Sequence, residues 1–497
     1  MRRRDIIKAY EKGRDAVIDL VLNLVSSLRE LEGENDTLRN ENVALKEESL
    51  LLEERVKAFE EKAKKNSRNS NLPPSSDGFK RKTRTRRKKS GRSPGGQKGH
   101  PGKTLLMVEN PDKVVVHPVA ECDACGKSLL KVEPAGCESR QVFDLPPVRL
   151  LVTEYRSQVK CCPSCGHETK ASFPPGVKKP VCYGPDVKAL ATYLVYYQHL
   201  PYKRASDLLS DILGHRVSEG TLVNMCAELF SSLEPVEDAI KDGLLASPAI
   251  NVDETGTRID AAGFWLHVAS TDALTSYFVH PKRGRKATDE MGILPTYEGT
   301  AIHDCWKPYF GYECHHALCC AHLLRELTGL LECDPSQQWA SGMIELLLDV
   351  KAEKDKRMAN GYSHLTKRFA TQSSKRYDEI VDKGLSANPI VANVPGKRGR
   401  KKKTIARNLL ERFREHKEWV LAFARDFSVN FDNNLAERDL RMAKLQQKIS
   451  GCFRSFEGAQ AFCRARGYIS TMRKNSFPTI EALRLAFEGT PVFPSPP

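Results

Sequence analysis

The chain has 497 residues, 40% of them hydrophobic and 28% charged, which is the composition of a globular protein with more than one folded domain. It contains no apolar run of about eighteen residues, and its N-terminus lacks the apolar core of a signal peptide. We therefore exclude a membrane protein and a secreted protein and expect a cytoplasmic one. Lys and Arg outnumber Asp and Glu by 78 to 63, and the net charge of +15 favours a polyanionic partner.

The first predicted element is a long helix with leucine at every seventh position. The leucines are Leu24, Leu31, Leu38, Leu45 and Leu52. Asn35 and Asn42 occupy a positions of the same heptads, where a buried Asn favours two strands. The pattern predicts a leucine-zipper coiled coil over residues 1–65 and hence a homodimer. A single amphipathic helix packed on the rest of the protein is the alternative.

Residues 66–112 read as a flexible basic linker, because turn-forming residues and glycines leave little apolar surface to bury. The predicted DNA contacts in this segment are Lys80, Arg81, Lys82, Arg84, Arg86, Arg87, Lys88 and Lys89. Such clusters bind DNA by releasing condensed counterions, whatever the base sequence. A second basic run occupies 397–403. Two solvated linkers without a partner are the alternative.

Two Cys-x-x-Cys-Gly motifs indicate a zinc-ribbon domain over 113–180. The candidate ligands of one structural Zn²⁺ are Cys122, Cys125, Cys162 and Cys165. Each motif lets two thiolates hold one tetrahedral metal ion, while Gly permits the tight turn. Alternation over 149–159 predicts a strand, and the separation of the motifs, longer than the usual spacing of roughly 15–20 residues, implies an extra hairpin. A redox pair or plain turns are the alternatives, and Cys161 is an alternative ligand to Cys162.

The fifteen cysteines are not expected to form disulfides in a reducing compartment. Those in apolar surroundings read as small core residues, such as Cys182, Cys226 and Cys463.

Residues 181–245 are predicted to be helical. Gly214 marks a short turn, and Ser218 is a candidate N-cap for the helix that follows. This pattern is typical of a helix-turn-helix that enters the major groove of DNA, but a plain helical hairpin fits it equally well.

The remaining residues predict a ribonuclease-H-like α/β core, split into 246–334 and 427–490 by a helical insertion over 335–426. Three short strands in a meander begin the core, and the first of them is expected to carry Asp253 near its middle or end. A later strand ends at Asp304, and a helix carries Glu437 with Arg441 on the same face. Three carboxylates on separate elements suit Mg²⁺, although most carboxylates in any chain are solvated surface groups. The neighbouring acids, Glu254 and Asp439, are expected to point away from the trio.

Several motifs, taken in order, resemble one family. They are the Asn/Ser/Pro-rich segment 66–77, GGQKGHPG at 95–102, the two cysteine motifs, VDETG at 252–256 and NNLAER at 433–438. Together they resemble the TnpC-type transposases of insertion sequence sixty-six. The resemblance implies a DDE triad on Asp253, Asp304 and Glu437, with two Mg²⁺ (or Mn²⁺) ions per active site. It also makes Arg438 and Arg441 candidate DNA contacts.

This chain departs from the family pattern around the middle aspartate. The family reads TDGYAGY there, whereas residues 302–309 read IHDCWKPY, and Thr257 replaces an aromatic residue after VDETG. A CxAHxxR segment is present, in which His322 is either a neighbour of the metals or an ordinary residue of a core helix.

The resemblance implies a multidomain α+β DDE transposase that binds element ends and performs metal-dependent DNA cleavage and strand transfer. The expected partners are double-stranded DNA, both terminal inverted repeats and target, and a second copy of the chain, with no membrane. Whether accessory proteins of the same element take part stays open. A non-catalytic zinc-containing DNA-binding regulator, a decayed transposase copy and a structure-selective nuclease are the alternatives.

Overall fold

The computed structural model describes residues 3–64, 66, 69–70, 104–146, 148–174, 176–177, 179–390 and 403–494. The predicted basic cluster between Lys80 and Lys89, and nearly all of the basic run 397–403, lie outside these residues. Helices account for most of the described chain. None of the helices in these ranges combines the length and apolar character that crossing a membrane requires.

The helices lie as follows in the described ranges: α1 Arg3–Glu11, α2 Arg14–Lys64, α3 Pro185–Thr192, α4 Tyr202–Leu213, α5 Glu219–Ser232, α6 Glu234–Leu245, α7 Arg285–Met291, α8 Cys320–Cys333, α9 Gln338–Ala359, α10 Lys367–Ala387, α11 Ile405–Glu415, α12 Lys417–Val420, α13 Ala422–Arg425, α14 Asn434–Ser450, α15 Phe456–Lys474 and α16 Thr479–Phe487. The strands are β1 Val159–Cys161, β2 Glu168–Lys170, β3 Ala249–Ile259, β4 Ala262–Ser270, β5 Thr275–His280, β6 Thr300–His303 and β7 His315–Leu318. The fold is thus multidomain α+β.

Five strands form one mixed sheet in the order β5-β4-β3-β6-β7. The first three are an antiparallel meander in which β3 pairs with β4 from Asn251 opposite Ser270 to Ile259 opposite Ala262. The chain then passes through α7 before β6 joins the other side of β3. This crossover places β3, the first strand of the sheet, at its centre.

One compact unit comprises 1–80, 302–306 and 316–433. Its helices α8 to α11 pack in sequence against one another, around the buried rings of Trp339, Tyr377 and Phe413. Helix α2 belongs to the same unit and is a single helix of 51 residues. Its heptad leucines Leu31, Leu38, Leu45 and Leu52 are exposed.

The first described residues of the predicted linker are held in this unit. Asn69 is buried, its side-chain amide donates to Glu332 of α8 at 2.5 Å, and its carbonyl lies where a Cβ of Gly329 would be. Asn69, at the start of the predicted flexible linker, is therefore held in place, because a glycine on α8 lets the backbone approach closely enough to bury it.

The second unit comprises 81–301, 307–315 and 434–497. In it α14 packs on β3 and β4, and α15 packs on β5. A helical cluster formed by α3, α4 and α5 has its own core around Leu209, Leu222 and Met225. The predicted turn is confirmed here, since Gly214 ends α4 in the left-handed conformation and the Ser218 side chain accepts from the Thr221 N–H of α5.

Two predictions for the region before α3 are wrong. Residues 149–158 form no strand and are largely exposed, because alternating residue types do not make a strand without a partner to bond. Cys182 is exposed, as is its apolar neighbour Val181, so neither reaches a core. Cys226 and Cys463 are buried as predicted.

Candidate active site and metal-binding motifs

The first candidate carboxylate lies in the middle of a strand. Of the two predicted positions, middle or end, the structure shows the middle, because Thr255, Thr257 and Ile259 continue the β-branched alternation and all pair with β4. Asp253 is half-buried. It lies on the same face of β3 as Thr257, since alternate residues share a face.

Helix α14 packs on β3, and two of its side chains bond to the strand. The Lys444 ammonium donates to the Gly256 carbonyl of β3, and Gln447 donates to the Thr257 hydroxyl at 2.8 Å. The order of these contacts means that α14 runs in the same direction as β3. Glu437 lies two helical turns before Lys444 on the same side of the helix, a rise of about 10.5 Å.

The position of Asp253 matches that rise. It precedes Gly256 by three strand residues, or about 10 Å. By these ideal rises the two residues have the same level along β3, and both belong to one compact unit. Glu437 is half-buried in the first turn of α14, and Arg438 and Arg441 are exposed on the same helix.

The two acids next to these residues point elsewhere, as predicted, but they are not inert. The Glu254 side chain is 1% exposed. Its Oε1 accepts from Nη2 of Arg283 at 2.7 Å and from Nε at 2.9 Å, and its Oε2 accepts from the Tyr309 hydroxyl. Arg283 also lies over the Trp265 ring. Glu254 is thus a buried, fully bonded carboxylate on the face of β3 opposite Asp253.

Asp439 is a second structural acid. It accepts from the Lys474 ammonium of α15 at 2.8 Å, and its backbone carbonyl accepts from the Tyr277 hydroxyl at 2.9 Å. Burial lowers the pKa of Lys474, and Asp439 opposes that shift. Substituting Asp439 would therefore disturb the packing of α14 and α15 on the sheet.

Asp304 belongs to the other unit and directly follows β6. It is half-buried, and its Oδ1 accepts from the Trp306 N–H at 3.0 Å. The residue between them, Cys305, has φ of 73°, a conformation that side-chain-bearing residues rarely adopt. Burial raises the pKa of the Cys305 thiol to about 11, so this cysteine is protonated at neutral pH. His322 is half-buried in the first turn of α8, in the same unit as Asp304.

The two cysteine motifs fold alike. In the first, the Gly126 N–H donates to the Cys122 carbonyl at 2.8 Å, and in the second, Gly166 donates to Cys162 at the same distance. Both glycines have positive φ, near 70°. Backbone N–H groups lower the pKa of the Cys122 and Cys162 thiols, which suits thiolate donors.

The cysteine donors thus fit zinc in chemistry and in local geometry, two from each motif. Across the residues that the structure describes, no group of three or more His, Cys, Asp or Glu side chains is arranged to hold a metal ion.

Two regions of the chain match known transposase families. Residues 120–167, which contain both cysteine motifs, match the zinc-finger binding domain of transposase IS66, so this is a DNA-binding transposase with a zinc-finger domain. Residues 180–461, more than half of the chain, match the Transposase IS66 family, and the chain belongs to that family. Residues 23–105 match a family of unknown function. No curated protein matches the chain.

Sequence reasoning missed the residues that surround the candidate carboxylates. Arg283 stands in the basic segment 281–286, and only its charge could have indicated contact with a carboxylate. His303, which adjoins Asp304, gave no signal, because its partner His316 lies on a different strand.

Proposed function

We propose that this chain is a DDE transposase in which Asp253, Asp304 and Glu437 bind the catalytic metal ions. The observation that supports the proposal is the register of α14 on β3, fixed by the bonds from Lys444 to Gly256 and from Gln447 to Thr257, from which ideal helix and strand rises give Glu437 and Asp253 the same level. The strand order, a meander whose first strand is central and gains further strands on its other side, supports a ribonuclease-H-like core.

The donor chemistry suits Mg²⁺ or Mn²⁺, because these ions prefer carboxylate oxygens and retain bound waters. When bound, such ions stabilise the charge that develops on the attacking and leaving oxygens of a phosphodiester. The reaction proposed is attack by water on the phosphodiester at the end of the element, which breaks the bond to the 3′-oxygen and frees a 3′-hydroxyl. That hydroxyl then attacks a target phosphodiester in line, and the target's own 3′-oxygen leaves. The three carboxylates bind the metal ions, and none of them forms a covalent bond to DNA.

DNA binding is assigned to cationic side chains outside the carboxylate trio. Arg438 and Arg441 are exposed on the helix that carries Glu437, so phosphates that approach the site would meet them. The basic cluster between Lys80 and Lys89 adds contacts that are independent of sequence. The α4–α5 pair is a candidate helix-turn-helix, with its Ser218-capped second helix as the element that would enter the major groove.

Two structural proposals complete the account. Cys122, Cys125, Cys162 and Cys165 together bind one Zn²⁺, since each motif supplies half of a tetrahedral set. Helix α2 pairs with α2 of a second copy, because leucines recur at every seventh position and those from Leu31 to Leu52 are exposed, as in the apolar seam of a coiled coil. The segments 1–65, 66–112, 113–180, 181–245, 246–334, 335–426 and 427–490 are proposed as the functional divisions of the chain.

The test of the function is a cleavage and joining assay. Full-length protein is mixed with DNA ending in the inverted repeats of the element and a target plasmid, with Mg²⁺, with Mn²⁺ or with a chelator. A transposase produces joined molecules that depend on the divalent ion. Cleavage without joining would point to a nuclease, and binding without either would point to a regulator or an inactive copy.

A further inference from the structure

The backbone that follows β6 is held in an unfavourable conformation. Cys305 has φ of 73°, and a residue with a side chain keeps such a conformation only when its surroundings hold it there. Backbone strain of this kind concentrates at functional sites. Here the strained residue immediately follows Asp304.

A histidine pair provides the holding contact. The Cys305 N–H donates to Nδ1 of His303 at 3.3 Å, and Nε2 of His303 lies 3.1 Å from Nδ1 of His316. The backbone carbonyl of His303 accepts from the Cys319 N–H at 2.9 Å. All of these residues belong to the same compact unit.

The hydrogen bonds fix the tautomers of both rings. A backbone N–H can only donate, so Nδ1 of His303 accepts and carries no proton. The single ring proton of neutral His303 is then on Nε2, and it is donated to Nδ1 of His316. Each ring therefore has one orientation and one tautomer that satisfy the pair.

The pair has no room to rearrange. His303 is 0% exposed and His316 is buried. The His316 ring contacts Trp419 edge-on, with centroids 4.9 Å apart, and Trp419 stacks on His416 at 4.5 Å. The packing of Trp419 against His316 restricts the His316 ring. His316 in turn orients the His303 ring through their hydrogen bond, and His303 orients the Cys305 N–H.

We propose that His303 and His316 are positioning residues, whose hydrogen-bonded pair sets the turn 304–306 and thereby the direction of the Asp304 carboxylate. The same turn directs the Trp306 N–H to Oδ1 of Asp304 at 3.0 Å, so the carboxylate faces an incoming metal ion in one orientation. The inference rests on the proposed role of Asp304 as a metal ligand. Residues that orient a ligand typically change metal affinity or activity by about 10- to 100-fold when they are removed.

The test measures Mn²⁺ binding by the full chain in the absence of DNA, with thermal melting as a check on folding. His303→Leu removes both ring contacts and is expected to weaken Mn²⁺ binding by about 10- to 100-fold. His303→Asn keeps an acceptor at the position of Nδ1 for the Cys305 N–H, so it is expected to recover most of the affinity. His316→Leu is expected to weaken binding without touching residue 303.

The matched control is His280→Leu, which removes a buried histidine of the other unit and is expected to leave Mn²⁺ binding unchanged. Wild-type Mn²⁺ affinity in folded His303→Leu and His316→Leu would overturn the proposal, and so would His303→Asn binding as poorly as His303→Leu. If His303→Leu does not fold, the Asn and His316 variants decide. Asp304→Asn separates the two ideas, since unchanged Mn²⁺ binding in that variant would refute the metal-ligand role itself.

Discussion

Removing the carboxylate of Glu254 should destabilise the protein more than any surface substitution of the same type. Glu254→Ala leaves Arg283 without its buried partner and the buried Tyr309 hydroxyl without its acceptor. Breaking a buried ion pair from one side costs about 3–5 kcal/mol. Arg283 is 40% exposed and can regain water, so we expect a loss near the lower end, about 3 kcal/mol. Glu254→Gln keeps the shape and one hydrogen-bonding oxygen and should cost about 1–2 kcal/mol.

The free energy of unfolding is measured by urea denaturation, and the midpoints of the variants are compared where the slope of free energy against urea is the same. The matched control is Glu228→Ala, which removes the partner of Lys188 at 2.7 Å from a glutamate whose side chain is 49% exposed. Such surface pairs contribute about 0–1 kcal/mol. If Glu254→Ala and Glu228→Ala have the same denaturation midpoint, the reasoning about the buried carboxylate is wrong.

Three further predictions follow from the metal motifs, the long helix and a buried histidine. Purified protein should contain about one zinc per chain, lost in Cys125→Ser/Cys162→Ser; folded wild-type protein without zinc would refute this. Deleting 1–65 should lower the mass measured by light scattering from dimer to monomer, and an unchanged mass would place the dimer contact elsewhere. Burial lowers the pKa of His267 to about 4, below its ordinary 6.5, so stability should fall as pH drops from about 6.5 towards 4, by about 2 kcal/mol at pH 5. His267→Phe should remove that part of the pH dependence. If the urea midpoint changes between pH 7 and pH 5 by the same amount in the variant as in wild type, the prediction is wrong.

Local patterns predicted local structure well. The Gly214 turn and Ser218 cap, the helix that carries Glu437 and the helices within 335–426 are all present, because caps and apolar periodicity act over a few residues. The sequence predicted the presence and length of strands less well, because a strand depends on a pairing partner. The alternation at 149–158 found no partner, whereas β3 runs six residues beyond Asp253 because β4 pairs with it throughout.

The surroundings of the candidate site could not be predicted, since they depend on contacts between distant parts of the chain. Glu254 meets Arg283 and Tyr309 only after β3, β5 and the segment that follows β6 have assembled. Glu254 and Asp439 point away from the trio as predicted, but their buried ion pairs with Arg283 and Lys474 could not be predicted from the sequence. The link from His303 to His316 likewise requires β6 and β7 to be neighbours.

The central claim is that Asp253, Asp304 and Glu437 act as one metal-binding unit, and strand joining by single carboxylate-to-amide variants tests it most directly. Asp260→Asn and Glu457→Gln are the controls, because both side chains are exposed in the same unit as Asp253. We predict that Asp253→Asn, Asp304→Asn and Glu437→Gln each abolish joining while DNA binding persists, that double variants are no worse, and that both controls join normally. Joining at near wild-type rates by Asp253→Asn would contradict the account.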